Sequence, residues 1–186
     1  MTFRKKSFYF IYSLFFFIAH HSEAQLWIGQ NTNVKIFSKS PLEDIEAVSS
    51  KGTIALNEKS GKIFVKILIR SFKFRNSLME DHFNENYMES PKYPTAEFNG
   101  IILDLPDFSA ENTYTIQIKG TLTMHGVKKE VEWPATMIVS KAKIEGKVNF
   151  KVKCEDFNIK IPKIVVKNIA EEIEVTLLTE FKPYKK

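Results

Sequence analysis

From Asn33 onward, apolar and polar residues alternate in short runs separated by turn residues. This period of two puts successive side chains on opposite faces of a strand. Ile63, Val65, Ile67 and Ile69 alternate with Phe64, Lys66, Leu68 and Arg70, after the turn residues Glu58-Lys59-Ser60-Gly61. Tyr114, Ile116, Ile118, Leu122 and Met124 alternate with Thr115, Gln117, Lys119, Thr121 and Thr123. His125-Gly126 then supplies a tight hairpin, since glycine tolerates positive φ. Trp133, Ala135, Met137 and Val139 continue the apolar face beyond it. The separation is sharpest in the next run, where Ile144, Gly146, Val148, Phe150, Val152 and Cys154 oppose Lys143, Glu145, Lys147, Asn149, Lys151 and Lys153. Ile173, Val175, Leu177 and Phe181 repeat the pattern against Glu174, Thr176 and Glu180. One face of such a sheet is dry and the other wet.

The pattern predicts about eight strands, near 27–38, 45–57, 62–74, 95–104, 113–125, 127–140, 143–154 and 172–182. The fold class is therefore all-β and antiparallel. One segment departs from it. Leu78, Met79, His82, Phe83 and Tyr87 recur at helical spacing, which predicts a short flanking helix at about 77–89, stopped by Pro91 and Pro94. The stretch 161–170 contains Pro162 and is ambiguous. About eight antiparallel strands with one dry face must stack as sheets or close into a barrel. A closed barrel of that size is either filled by side chains or just wide enough for one small ligand. Gly120, Ala135 and Gly146 on the inner face fit either case, because a small residue can leave space or admit a neighbour's bulk.

The first residues follow a different rule. Arg4, Lys5 and Lys6 precede an uncharged apolar run of 12 residues from Phe8 to Ala19, and Ser22-Glu23-Ala24 closes it with small residues. That is the layout of a secretory signal peptide, residues 1–24, cleaved after Ala24. The run is shorter than the ~20 residues of a membrane span. A single domain, residues 25–186, would remain in the periplasm or be secreted. Removing three basic residues and Glu23 lowers the formal charge from +5 to +3, too little to suggest nucleic acid as a partner. The one cysteine, Cys154, excludes an internal disulfide.

Reactive chemistry is sparse. Glu80, Asp81 and His82 sit on the expected helix and His125 at a hairpin tip, and a metal site would need both imidazoles to meet. Cys154 shares a face with Val152 and Phe150, so it reads as a buried inert thiol. No Gly-x-Ser-x-Gly elbow or glycine-rich phosphate loop occurs. The lysines of 143–153 form a basic stripe that could steer the protein to a membrane surface, or serve as an ordinary solvated face.

The run Lys119-Gly120-Thr121-Leu122-Thr123-Met124-His125-Gly126-Val127-Lys128 resembles the Gly-x-Leu-Thr-x-His-Gly-Val-x-Lys hallmark of the YceI-like family of bacterial proteins. Ser71 with Glu80-Asp81-His82-Phe83, Tyr93-Pro94-Thr95-Ala96-Glu97-Phe98 and Ala170-Glu171-Glu172-Ile173-Glu174-Val175 are similar to further family segments in the same order. Met79 stands where the family often has arginine, and Asn158 where it often has glycine. The resemblance spans about residues 33–182. It implies an eight-stranded antiparallel lipocalin-like barrel with a helix beside it, periplasmic export, and non-catalytic binding of a long apolar molecule. Isoprenoid quinones, polyprenyl and fatty-acyl derivatives are the ligand classes implied, with no cofactor or metal. Inward residues Ile67, Ile69, Phe98, Ile116, Ile118, Trp133, Phe150, Val152 and Leu177 are then the cavity candidates. Two other readings remain: a filled barrel acting as a stress-related or interaction module, and an enzyme acting on a bound lipid through His82 or His125.

Overall fold

A computed structural model describes residues 25–39, 44–141, 143–161 and 172–184. The expected leader and nearly all of 161–170 lie outside the described residues. The chain forms strands β1 (Leu26–Ser38), β2 (Ile45–Ser49), β3 (Gly52–Asn57), β4 (Lys62–Leu68) and β5 (Lys73–Phe74). Helix α1 (Ser77–His82) follows, then β6 (Thr95–Ile102), β7 (Asn112–Met124), β8 (Val127–Val139), β9 (Ile144–Lys153) and β10 (Glu172–Pro183). The sheet runs β10-β9-β8-β7-β6-β4-β3-β1, and β10 pairs back onto β1, so eight strands close an antiparallel barrel. Closure removes the unpaired edge that an open sheet of this size would expose.

Two of the eight expected strands are broken. The run 45–57 splits at Ser50-Lys51, and β2 pairs with the far half of β1 while β3 pairs with its start. The run 62–74 is interrupted by a turn of 3₁₀ helix at Ile69–Ser71. There Ser71 Oγ donates to the Leu68 carbonyl, and its hydroxyl lies 2.6 Å from that of Ser49. At both breaks the inward face changes phase, from Ala47 and Ser49 to Ile54 and Leu56, and from Ile67 and Ile69 to Phe72, so each break uses up one position of the alternation.

The flanking helix is shorter than expected. Asn76 caps α1 by accepting from the Leu78 amide, and after His82 the backbone widens into one π-helical turn, Phe83–Tyr87. Met88 N–H donates to the Phe83 carbonyl at 2.8 Å, the five-residue step of such a turn. The extra residue rotates the phase. Met88 becomes buried, while Leu78, expected on the apolar face, is 58% exposed.

The barrel has two unlike halves. At the end holding the β3–β4 and β8–β9 hairpins the interior is filled by Ile54, Leu56, Ile102, Met137, Ile144 and Phe181, all buried. Trp27 stacks on Phe108 there and donates from Nε1 to Glu58. Glycines make this packing possible. Gly100 and Gly120 face each other across β6 and β7. A Cβ on Gly120 would lie 2.3 Å from the Asn99 carbonyl oxygen and 2.4 Å from Gly100 Cα. A Cβ on Gly146 would come within 3.0 Å of the Phe181 ring. These small residues admit neighbours rather than leave space.

Among the described residues the wall's ladders are uneven, and β1 meets β3 only over Leu26–Ile28 before β2 takes over from Val34. β7 and β8 pair over their whole lengths, and so do β9 and β10 through Ile144. Between β8 and β9 the ladder covers only Ala135–Val139 against Ile144–Val148, although both strands run on. It stops where Pro134 enters, a residue with no N–H to donate.

Candidate functional site

The half of the barrel nearest α1 is hollow. A cavity of about 490 Å³ lies between the ends of β1, β4, β7 and β9, the starts of β6, β8 and β10, and the helical segment. That volume falls within the range of small-molecule sites. Its wall is almost wholly apolar. Ile67, Ile69, Phe98, Ile118, Trp133, Phe150, Val152 and Leu177 all line it. The ninth candidate, Ile116, does not. It is buried in the filled half, beside the cross-strand partner Ala135. Two residues along a strand amount to ~7 Å, enough to move a side chain from the cavity into the packed plug. Alternation tells which face a residue takes, not its level along the barrel axis.

The cavity's aromatic wall is continuous. Trp133 and Phe150 stack at 3.9 Å between centroids, and Phe98 lies 6.0 Å from Trp133. Met79, Phe83, Tyr87 and Met88 from the helical segment cover one side. Polar side chains are few: Ser38, His82, Tyr87 and Glu97. Strand alternation turns the Glu97 carboxylate outward, where it pairs with Lys66 at 3.0 Å and accepts from Thr95. The Lys66 hydrogen bond is the main reason its carboxyl stays below the usual range. Burial raises the Tyr87 phenol, which keeps it a neutral donor.

Cys154 also lines the cavity, and burial pushes its thiol up to about 11. A neutral thiol is a poor nucleophile. Native protein should therefore react slowly with a thiol reagent and denatured protein quickly. Fast native labelling would show that the residue faces solvent.

His125 occupies a place that the chain's local pattern does not announce. It is 8% exposed, with Nδ1 2.9 Å from the Phe157 carbonyl oxygen and Nε2 2.8 Å from Glu89 Oε2. A carbonyl only accepts, so Nδ1 carries a proton and donates. Tyr93 packs on the ring at 4.4 Å, and Gly126 has room only because it lacks the Cβ that would meet Tyr93 at 2.7 Å. One imidazole thus joins the β7–β8 hairpin, the segment after the helix, and the turn after β9. His125 and Gly126 both take positive φ, as do Glu89 and Asn158. Asn158, at φ +56°, closes the turn Glu155–Phe157, and this left-handed backbone explains how either asparagine or glycine serves there. His82 is exposed and lies on α1, and both nitrogens of His125 are already engaged. Among the described residues, no three His, Cys, Asp or Glu side chains gather as metal ligands.

The basic stripe on β9 is largely neutralised. Lys143 pairs with Glu145 and Glu180, Lys151 with Glu172 and Glu174, and Lys153 reaches Glu172. Exposed pairs of this kind add little stability. They do leave the outer wall a mosaic of both signs.

Comparison with known proteins agrees with this architecture. No functionally curated protein matches the chain. Among solved structures, a polyisoprenoid binding domain from Saccharophagus degradans superposes with a TM-score of 0.72 at 11% identity, covering 87% of this chain and 100% of that one. BcnA from Burkholderia cenocepacia gives 0.68 at 18% identity, covering 80% and 95%. The YCEI protein of Campylobacter jejuni gives 0.56 at 23%, covering 73% and 81%. These likenesses are of fold. The model of the YceI-like domain matches residues 18–181, nearly the whole chain, and the protein belongs to the YceI-like family.

Proposed function

We propose that the protein is a non-catalytic carrier of a long-chain apolar lipid, exported through a cleaved leader. The apolar cavity at one end of the barrel carries this reading. Burying a hydrocarbon chain against such a wall contributes ~25 cal/mol per Å² removed from water. The polyisoprenoid binding named for the Saccharophagus relative points to the same ligand class. No charged side chain of the described residues is directed into the cavity, which favours an uncharged head such as a quinone, alcohol or amide near Tyr87 and His82. A filled barrel would need side chains where the cavity lies, and so fits less well. The catalytic alternative is left with His82, because both nitrogens of His125 are hydrogen-bonded and Cys154 is a neutral thiol. His82 has no nucleophile or second acid–base group paired with it among the described residues.

Native mass spectrometry of gently purified protein is the test. The expected spectrum shows a co-purified lipid of discrete mass on a chain that begins at Gln25. Protein that never carries lipid and takes up no prenyl or acyl chain after delipidation would overturn the carrier reading. An intact Met1 would overturn cleavage alone.

A further inference from the structure

We infer that the incomplete seam between β8 and β9 is a lateral portal for the ligand chain, with His125 as the positioning residue that holds it shut. This rests on the reading that the cavity takes up a chain. The ladder ends at the pair Ala135–Val148, next to Pro134. Beyond it the two strands are joined by side chains instead of backbone bonds. Trp133 on β8 stacks against Phe150 on β9, and both rings line the cavity. Lys129 on β8 pairs with Asp156 in the turn after β9. His125, at the base of β8, grips the Phe157 carbonyl in that same turn and Glu89 behind the helix. Side-chain contacts can part without breaking the ladders β7–β8 and β9–β10 that keep the barrel whole. An aromatic pair sliding apart would open the wall directly onto the cavity. His125 itself lines no part of the cavity, so it acts on the ligand only through the seam it closes.

A gate and a binding contact leave different kinetic signatures. Removing a gate's latch raises association and dissociation rates together and leaves Kd nearly unchanged, whereas removing a binding contact raises dissociation alone. The probe is a fluorescent fatty-acyl chain offered to delipidated full-length mature protein in stopped flow. His125→Ala should raise both rates roughly tenfold, the worth of one lost buried hydrogen bond, with Kd within about twofold. Pro134→Ala, which restores a donor beside the ladder's end, should slow both. Rates unchanged in His125→Ala, or a rise in dissociation alone, would overturn the portal. If His125→Ala does not fold, Lys129→Ala carries the same criterion. If wild type takes up no probe, the carrier reading fails and the seam is judged by amide exchange of the free protein. Fast exchange of every second amide in 127–133 and 149–153, those directed at the seam and not at β7 or β10, with protection in 135–139 and 144–148, supports it. Protection of those seam-facing amides overturns it.

Discussion

Protein carrying Phe150→Glu should emerge from purification without lipid. The wild-type ring lies against Trp133 in a wall with no charged side chain facing it among the described residues. A carboxylate there would sit unpaired against hydrocarbon, a cost of several kcal/mol unless it takes up a proton. Bound chain and ionised glutamate therefore exclude each other. Phe150→Ala should behave differently. It widens the cavity and removes the stack, so preference should shift toward longer or bulkier chains. Its stability cost should fall below the ~3–5 kcal/mol usual for Phe→Ala in a filled core, because the site already borders open space. The paired measurement is lipid retained by native mass spectrometry and the melting temperature of delipidated protein. Full retention in Phe150→Glu would place the ligand elsewhere.

Gly120→Val should be the most damaging single change in the filled half. Gly120 and Gly100 let β6 and β7 approach so closely that a Cβ at 120 would meet backbone atoms at 2.3 and 2.4 Å. Backbone cannot swing aside as a side chain can, so the two strands must part and with them the barrel. A loss of at least ~3 kcal/mol is expected, at the upper end of overpacking costs. Thermal unfolding followed by circular dichroism checks it, with Lys119→Ala as a mild control on the neighbouring exposed face. A variant that melts near wild type would mean that the strands have room to spare at this point.

Much of this architecture can be read in the chain, for a definite physical reason. A strand with one wet and one dry face must alternate strictly, so strand positions and inward faces follow from residues such as Val148, Phe150 and Val152. The breaks at Ser50 and Ile69 do leave a trace, a switch of the apolar face from odd to even positions (Ala47 to Ile54, Ile69 to Phe72), which a reading of each run as one continuous strand passes over. Ile116 and Ile118 look alike because they share a face and differ only in height. The division into plug and cavity is a three-dimensional fact, set by which rings and glycines meet across strands far apart in sequence. His125 shows the same limit. Its partners Glu89 and Phe157 lie 36 and 32 residues away, and spacing along one strand carries no trace of them. The inner glycines could be read either way in the sequence, and the Phe181 ring against Gly146 resolves one of them.

Left-handed backbone at Glu89, His125 and Asn158 bears on the order in which the molecule assembles. Outside glycine that conformation costs ~1 kcal/mol or more per residue, least for asparagine. Each of the three sits in a different stretch of chain, and His125 ties them together through Glu89 and through Phe157, the neighbour of Asn158. The two imidazole bonds span 36 and 32 residues, so they come after the local hairpins of the packed half. The rim around the imidazole is therefore a late-forming unit laid on an earlier foundation. On warming it should fray first, while the foundation still stands.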